Sequence, residues 1–266
     1  MQERHSNRRQ YFKEQSITTE KYVIPYIEKI ISINENTKVL EVGCGEGGNL
    51  LPFIERGCPC VGIDLNEKQI KNAAIFIKEA TPKLNIKLIS QDIYDIDLES
   101  IGKFDLVFMR DVIEHIHDQE KFMKFLKQFL KPEGRVFFGF PPWWMPFGGH
   151  QQICGSMLLS KLPFFHLLPK SLYHLILKSF GEKKATIDSL LEIKDTGITI
   201  NRFERILKEK AYHIEKKDFY FINPHYEAKF GLSPRLLAKG IDSIPYIRDF
   251  FTTCYYCVVK MKPEHI

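Results

Sequence analysis

The residues best suited to chemistry lie in one short run, Val39-Leu40-Glu41-Val42-Gly43-Cys44-Gly45-Glu46-Gly47-Gly48. Glycines at the end of a strand let the backbone turn tightly and let a ligand approach the main chain. Gly43, Gly45 and Gly48 fit G-x-G-x-x-G, and Asp64 follows at roughly the 20-residue offset of a ribose-binding acid. A dinucleotide is therefore one candidate ligand, but charge argues against it. A pyrophosphate needs the positive end of a helix. Here Glu41 closes the strand and Glu46 sits in the loop, so the site suits a ligand that is positive near the glycines. Further along come Gln91-Asp92, the run Arg110-Asp111-Val112-Ile113-Glu114-His115, and His150 after Gly148-Gly149. Cys254-Tyr-Tyr-Cys257 and Cys58-Pro-Cys60 could together supply four thiolates. The first pair, however, lies in a segment that reads as a strand, where positions i and i+3 point to opposite faces. No metal centre is expected.

Placing these residues requires alternating strands and helices. Lys38 to Val42, Cys60 to Asp64, Ile86 to Ser90, Phe104 to Met109 and Arg135 to Phe140 read as short strands. Between them, Ile70, Ala73, Ala74 and Ile77 share one helical face, and Phe122, Phe125, Leu126, Phe129 and Leu130 share another, with Asp118 as its N-cap. Val23, Ile27, Ile30 and Ile31 mark an earlier helix. Such alternation builds a mostly parallel α/β sheet covered on both faces, a doubly wound, Rossmann-like architecture. The rhythm breaks at Pro141-Pro142 and resumes with a helix at Phe203, Ile206 and Leu207 and strands at His213 to Ile222 and Thr253 to Met261.

With these motifs in order, the chain resembles the class I S-adenosylmethionine (SAM)-dependent methyltransferases, nearest to the branch with small-molecule, quinone and glycan substrates. The resemblance rests on E-V-G-C-G-E-G, Ile63-Asp64, Gln91-Asp92 and FDLVFMRDVIEHI, from about Val39 to Pro141. It implies a seven-stranded sheet ordered 3-2-1-4-5-7-6 with the last strand antiparallel. It implies SAM as cofactor, leaving S-adenosylhomocysteine, with Gly43, Gly45 and Gly47 beneath it and Glu41 near its methionine moiety. Cys44 and Leu65 belong to the same set. Asp64 matches the acid that takes both ribose hydroxyls, and a carboxylate has two oxygens for two donors. Asp92 matches the acid that accepts from the adenine amino group, with the Ile93 backbone at the ring. Arg110 matches the residue whose backbone meets the methionine ammonium. Methyl transfer needs alignment and exclusion of water, and a base only where the acceptor must lose a proton. His150 and His115 are the candidates for that base. Trp143, Trp144 and Tyr226 are candidate substrate contacts.

The expected organisation is an N-terminal helical segment (1–36), a SAM-binding core (37–142), a helical lid or insertion after the fifth strand (143–197), and the rest of the core (198–266) with a substrate-side excursion at 224–251. Stretch 151–180 reads foremost as an active-site lid, with a dimer face or a membrane contact as alternatives. The expected reaction is methylation of a small-molecule, sugar or lipid-linked acceptor, at oxygen. An RNA methyltransferase and an inactive SAM-binding sensor are the alternatives. A net charge of +5 permits RNA, but the basic residues look dispersed rather than striped and no RNA-binding module is visible. The N-terminus shows no apolar signal segment, and no run reaches the roughly 18 apolar residues of a bilayer span. A cytoplasmic protein, with contact at the inner membrane surface as an option, is expected.

Overall fold

The computed structural model describes residues 7–83 and 85–262. Helix α1 (Arg8–Thr18) begins at Asn7, whose side chain accepts the Gln10 N–H, and a π-helical turn leads to α2 (Ile24–Ile27). The alternating core follows as β1 (Val39–Val42), α3 (Leu51–Glu55), β2 (Cys60–Asp64), α4 (Glu67–Ala80), β3 (Ile86–Ser90), α5 (Leu98–Ile101), β4 (Phe104–Arg110), α6 (Gln119–Leu126) and β5 (Leu130–Phe140). An insertion supplies α7 (Met157–Lys161), α8 (Lys170–Ser179) and α9 (Lys184–Thr196). The chain returns through α10 (Ile200–Glu209), β6 (Tyr212–Ile222), α11 (His225–Phe230), β7 (Arg235–Leu236), α12 (Ile247–Phe251) and β8 (Cys254–Met261).

The sheet is ordered β3-β2-β1-β4-β5-β8-β6-β7. The first five strands are parallel, and β8 runs antiparallel to both β5 and β6. This is the expected topology with an eighth strand added. The two residues of β7 pair with Tyr220 and Ile222 at the edge. They follow Pro234 inside the excursion, too short a run for any periodicity to show.

Successive side chains feed opposite faces. Leu40, Phe138 and Tyr255 belong to one core, while Val39, Phe137 and Tyr256 belong to the other. Cys257 and Cys254 are divided in the same way, as strand geometry requires. The N-terminal helix comes earlier than its apolar spacing indicates. It starts at Arg8, and Ile30 and Ile31 pack on the core from the turn after α2. The signal is weak because α1 buries Glu14, Gln15 and Thr18 beside a single phenylalanine, Phe12.

The insertion closes on itself. At its neck Trp143 N–H donates to the Ile198 carbonyl at 2.8 Å. Inside, Cys154, Leu159, Phe165, Tyr173, Leu177, Ile187 and Leu190 form a small core of their own.

Candidate active site

A cavity of about 580 Å³ opens above the carboxyl ends of β1, β2 and β4. Ligands of open α/β sheets bind at that end. Its floor is the loop after β1. Gly43 and Gly45 have φ of +71° and +53°, and a Cβ on Gly43 would stand 2.5 Å from Val112 Cγ2. Asp64 braces this loop. One carboxylate oxygen accepts the Gly45 N–H and the other the Asn66 N–H, each at 2.8 Å.

The loop runs from Gly43 to Leu50 before α3 begins at Leu51. No helix N-terminus therefore opens directly at the second glycine, as pyrophosphate binding requires. This geometry replaces the charge argument, because the two carboxylates are not free. Glu46 is held by Arg8 of α1 in a bidentate pair, with Nε to Oε1 at 2.6 Å. Glu41 lies fully buried under the loop, accepts from Asn49 Nδ2 at 2.7 Å, and is pushed well above the usual carboxylate range by burial. Asn49 in turn accepts from Arg110 at 3.1 Å and from Thr19 at 2.9 Å.

The roof is built by two elements far apart in sequence. Helix α1 contributes Arg8, Tyr11, Glu14 and Gln15, and α11 contributes His225 and Lys229. They are clasped together. Thr18 Oγ1 lies 3.1 Å from His225 Nδ1, and Lys21 and Tyr22 both reach the Glu227 carboxylate.

The far wall follows β4 and β5. His115 and His150 meet edge to face with ring centroids 5.1 Å apart. Glu114 is 3% exposed, and neither of its carboxyl oxygens has a partner among the described residues. Burial, with Asp111 beside it, pushes this carboxyl well above the usual range. Ligand atoms of Glu114, His115 and His150 all lie within 4.8 Å of one another. No sequence spacing links His150 to the other two. The arrangement can take a hydroxyl group or a cation.

Of the residues nominated from sequence, Gly43, Gly45, Asp64, Arg110, His115 and His150 line the cavity. Cys44 and Ile93 are buried in the cores. Gly47 is held against Ile77, and Leu65 is 74% exposed. Asp92 caps a short helical turn by accepting the Tyr94 N–H. Trp143 packs on His166 and Trp144 on Phe250, while Tyr226 faces Phe230. Among residues 151–180 none lines the cavity, so this stretch is not its cover; α1 and α11 are. Sequence reasoning missed Arg8, Tyr11, Glu14, His225 and Lys229, which carry no motif. Asp111 and Glu114 stood in the R-D-V-I-E-H run and were legible there.

Comparison with known proteins bears on the fold that carries this cavity. Residues 14–142 match the family model described as a methyltransferase domain. The ubiquinone biosynthesis O-methyltransferase of Pelagibacter ubique is 32% identical over 39% of this chain and 41% of its own length. That of Chromobacterium violaceum is 32% identical over 43% and 48%. The chain thus spans less than half the length of these relatives. Among solved structures, magnesium protoporphyrin IX methyltransferase from Synechocystis, with S-adenosylhomocysteine bound, aligns with TM-score 0.54 at 14% identity, covering 94% of this chain and 84% of that one. Geranyl diphosphate C-methyltransferase from Streptomyces coelicolor aligns with TM-score 0.56 at 13% identity, covering 91% and 79%. These likenesses establish the fold.

Proposed function

We propose, from the match of residues 14–142 to a methyltransferase domain and the fold shared with a methyltransferase solved with S-adenosylhomocysteine bound, that the protein transfers a methyl group from SAM to a hydroxyl oxygen of a small-molecule, sugar or lipid-linked acceptor. The observation that carries this reading is the cavity itself. It joins the Gly43–Gly45 cradle and Asp64 to the paired imidazoles of His115 and His150. The chain's likeness to ubiquinone biosynthesis O-methyltransferases supports oxygen as the methylated atom.

The residues fit the cofactor. A glycine cradle with no room for a Cβ at Gly43 admits a ligand against the main chain. Asp64 offers carboxylate oxygens for the ribose hydroxyls, and Arg110 and Glu114 line the cavity beyond the glycines, where the methionine end would lie. Bound SAM supplies an electrophilic methyl on a sulfonium, so little covalent work is left to the protein. His150, with His115 against its ring, accepts the acceptor's hydroxyl proton as the oxygen attacks. Helices α1 and α11 cover the reactants and keep water out.

Calorimetric titration of SAM tests the assignment. Asp64→Ala removes a charged partner of two hydroxyls, and such hydrogen bonds are worth about 1.5–3 kcal/mol each. Affinity is expected to fall at least about tenfold, with the circular dichroism spectrum unchanged. Undiminished SAM binding would sink the reading.

A further inference from the structure

The insertion gives the cavity only His150, and its own outer surface is unusual. Helices α7 and α8 turn Leu159, Tyr173 and Leu177 toward the small core. Their opposite sides are exposed and carry Met157, Leu158 and Lys161 on α7, and Leu172, Leu175 and Lys178 on α8. Spacings of three and four place each apolar side chain in a row with a lysine. Met157 is 74% and Leu175 62% exposed. Phe164, just beyond α7, is also exposed, at a φ of +61° that bulky residues avoid. It meets Phe250 with centroids 6.0 Å apart, which extends the apolar surface toward the aromatic contact with Trp144.

Charge accompanies this face. Residues 156–184 hold five lysines (161, 170, 178, 183 and 184) and one acid, Glu182, in a chain of net charge +5. The Glu182 carboxylate is occupied by the N–H groups of Gly155 and Ser156. The segment is therefore net positive because acids are scarce in it, and among the described residues Lys170 alone of these lysines is paired to an acid outside it, Asp195.

We propose that the outer face of α7 and α8 docks on a bilayer surface containing anionic lipid. Leucine and methionine sink below the headgroups while lysine stems carry their ammonium groups up to the phosphates. Other occupants fit less well. Lysine is depleted from protein interfaces. A second copy would set lysines against lysines across a two-fold axis. A single-stranded nucleic acid calls for a series of stacking aromatics, where the exposed sides of α7 and α8 offer Leu and Met, with Phe164 exposed just beyond α7. None of the described helices is long and apolar enough to cross a membrane, so the contact is with the surface. The inference deepens the lipid-linked reading of the acceptor and rests on it for its purpose. Vesicle binding needs no acceptor and no turnover, so either can fail alone.

The test is co-sedimentation of the full chain with vesicles of phosphatidylcholine alone and of phosphatidylcholine mixed with phosphatidylglycerol. Binding is expected to the mixed vesicles only, and to weaken with salt. Lys161→Ser and Lys178→Ser should each lower partitioning about fivefold, from about 1 kcal/mol per lysine near such a surface. The double variant Leu158→Asp/Leu175→Asp should abolish binding while SAM titration remains that of the wild type, which shows the fold intact. Equal binding to both vesicles, or undiminished binding of the leucine variant, would overturn the proposal. So would a lipid-free dimer, or an RNA complex, that the same leucine variant disrupts.

Discussion

His150 adopts a φ of +55° and Asp111 one of +56°, and both line the cavity. A left-handed backbone costs a residue with a side chain roughly 1–2 kcal/mol, so surrounding contacts must hold it. His150 N–H donates to the Phe147 carbonyl at 3.1 Å, and its ring lies on that of His115. Strain of this kind gathers at functional sites. His150→Ala is expected to lower kcat by about 10²–10⁴, the usual worth of a positioned acid or base, with little change in SAM affinity. Unchanged turnover in the variant would remove His150 from the chemistry. Much of this site could be read in advance, because strand ends and glycines fix where Gly43, Asp64 and His115 must fall. The charges could not. Glu46 reads as a free carboxylate until Arg8, 38 residues away, is placed beside it. Trp143, Trp144 and Tyr226, nominated as substrate contacts, lie outside the cavity's lining, because an aromatic side chain does not declare which side of a loop it packs on.

At the level of elements, the expected cover and the observed one differ. The insertion sits beside the cavity on its own core, anchored by Gln119 Nε2 donating to the Thr196 carbonyl at 2.6 Å. One buried histidine makes it sensitive to acid. His166 Nε2 donates to the Trp143 carbonyl at 2.7 Å. Its Nδ1 faces Gln151 Nε2 at 3.4 Å, and that amide also donates to the carbonyls of Pro146 and Leu162. The imidazole is thus neutral, and a second proton would meet a donor. Burial, with Lys194 nearby, pushes its pKa from 6.5 down to about 4. The unfolded chain takes up the proton first, so this contribution to stability is complete above pH 6.5 and is lost as pH falls toward 4. The loss amounts to about 3 kcal/mol at most. Urea unfolding followed across that window should show stability falling with acid in the wild type and falling less in His166→Gln. Parallel slopes would refute it. The order of strands and helices in the core was visible in the sequence because each buried strand is a dense apolar run. Helix α1 was not, because its buried side is polar and finds its partners on α11.

Taken as a whole, the described residues form two cores on either side of one sheet and a third that belongs to the insertion. Leu177 is fully buried in the third. Leu177→Ala should cost about 2–5 kcal/mol locally, raising amide exchange across α7, α8 and α9 while the sheet stays protected and SAM binding persists. Equal loss of protection in the sheet would show that the three cores melt as one. The modest net charge says little until it is located, and residues 156–184 stand out within it by pairing five lysines with a single acid. Sheet order has one more consequence, for how the chain is made. Strand β8 follows β6 and β7 in sequence yet lies between β5 and β6, pairing with both. During synthesis the ribosome releases β5 and β6 with no strand between them, and each presents an open edge until β8 follows. Such edges invite pairing with other chains. A stalled or clipped nascent chain lacking β8 would expose both, until translation delivers the strand that joins the two halves of the sheet.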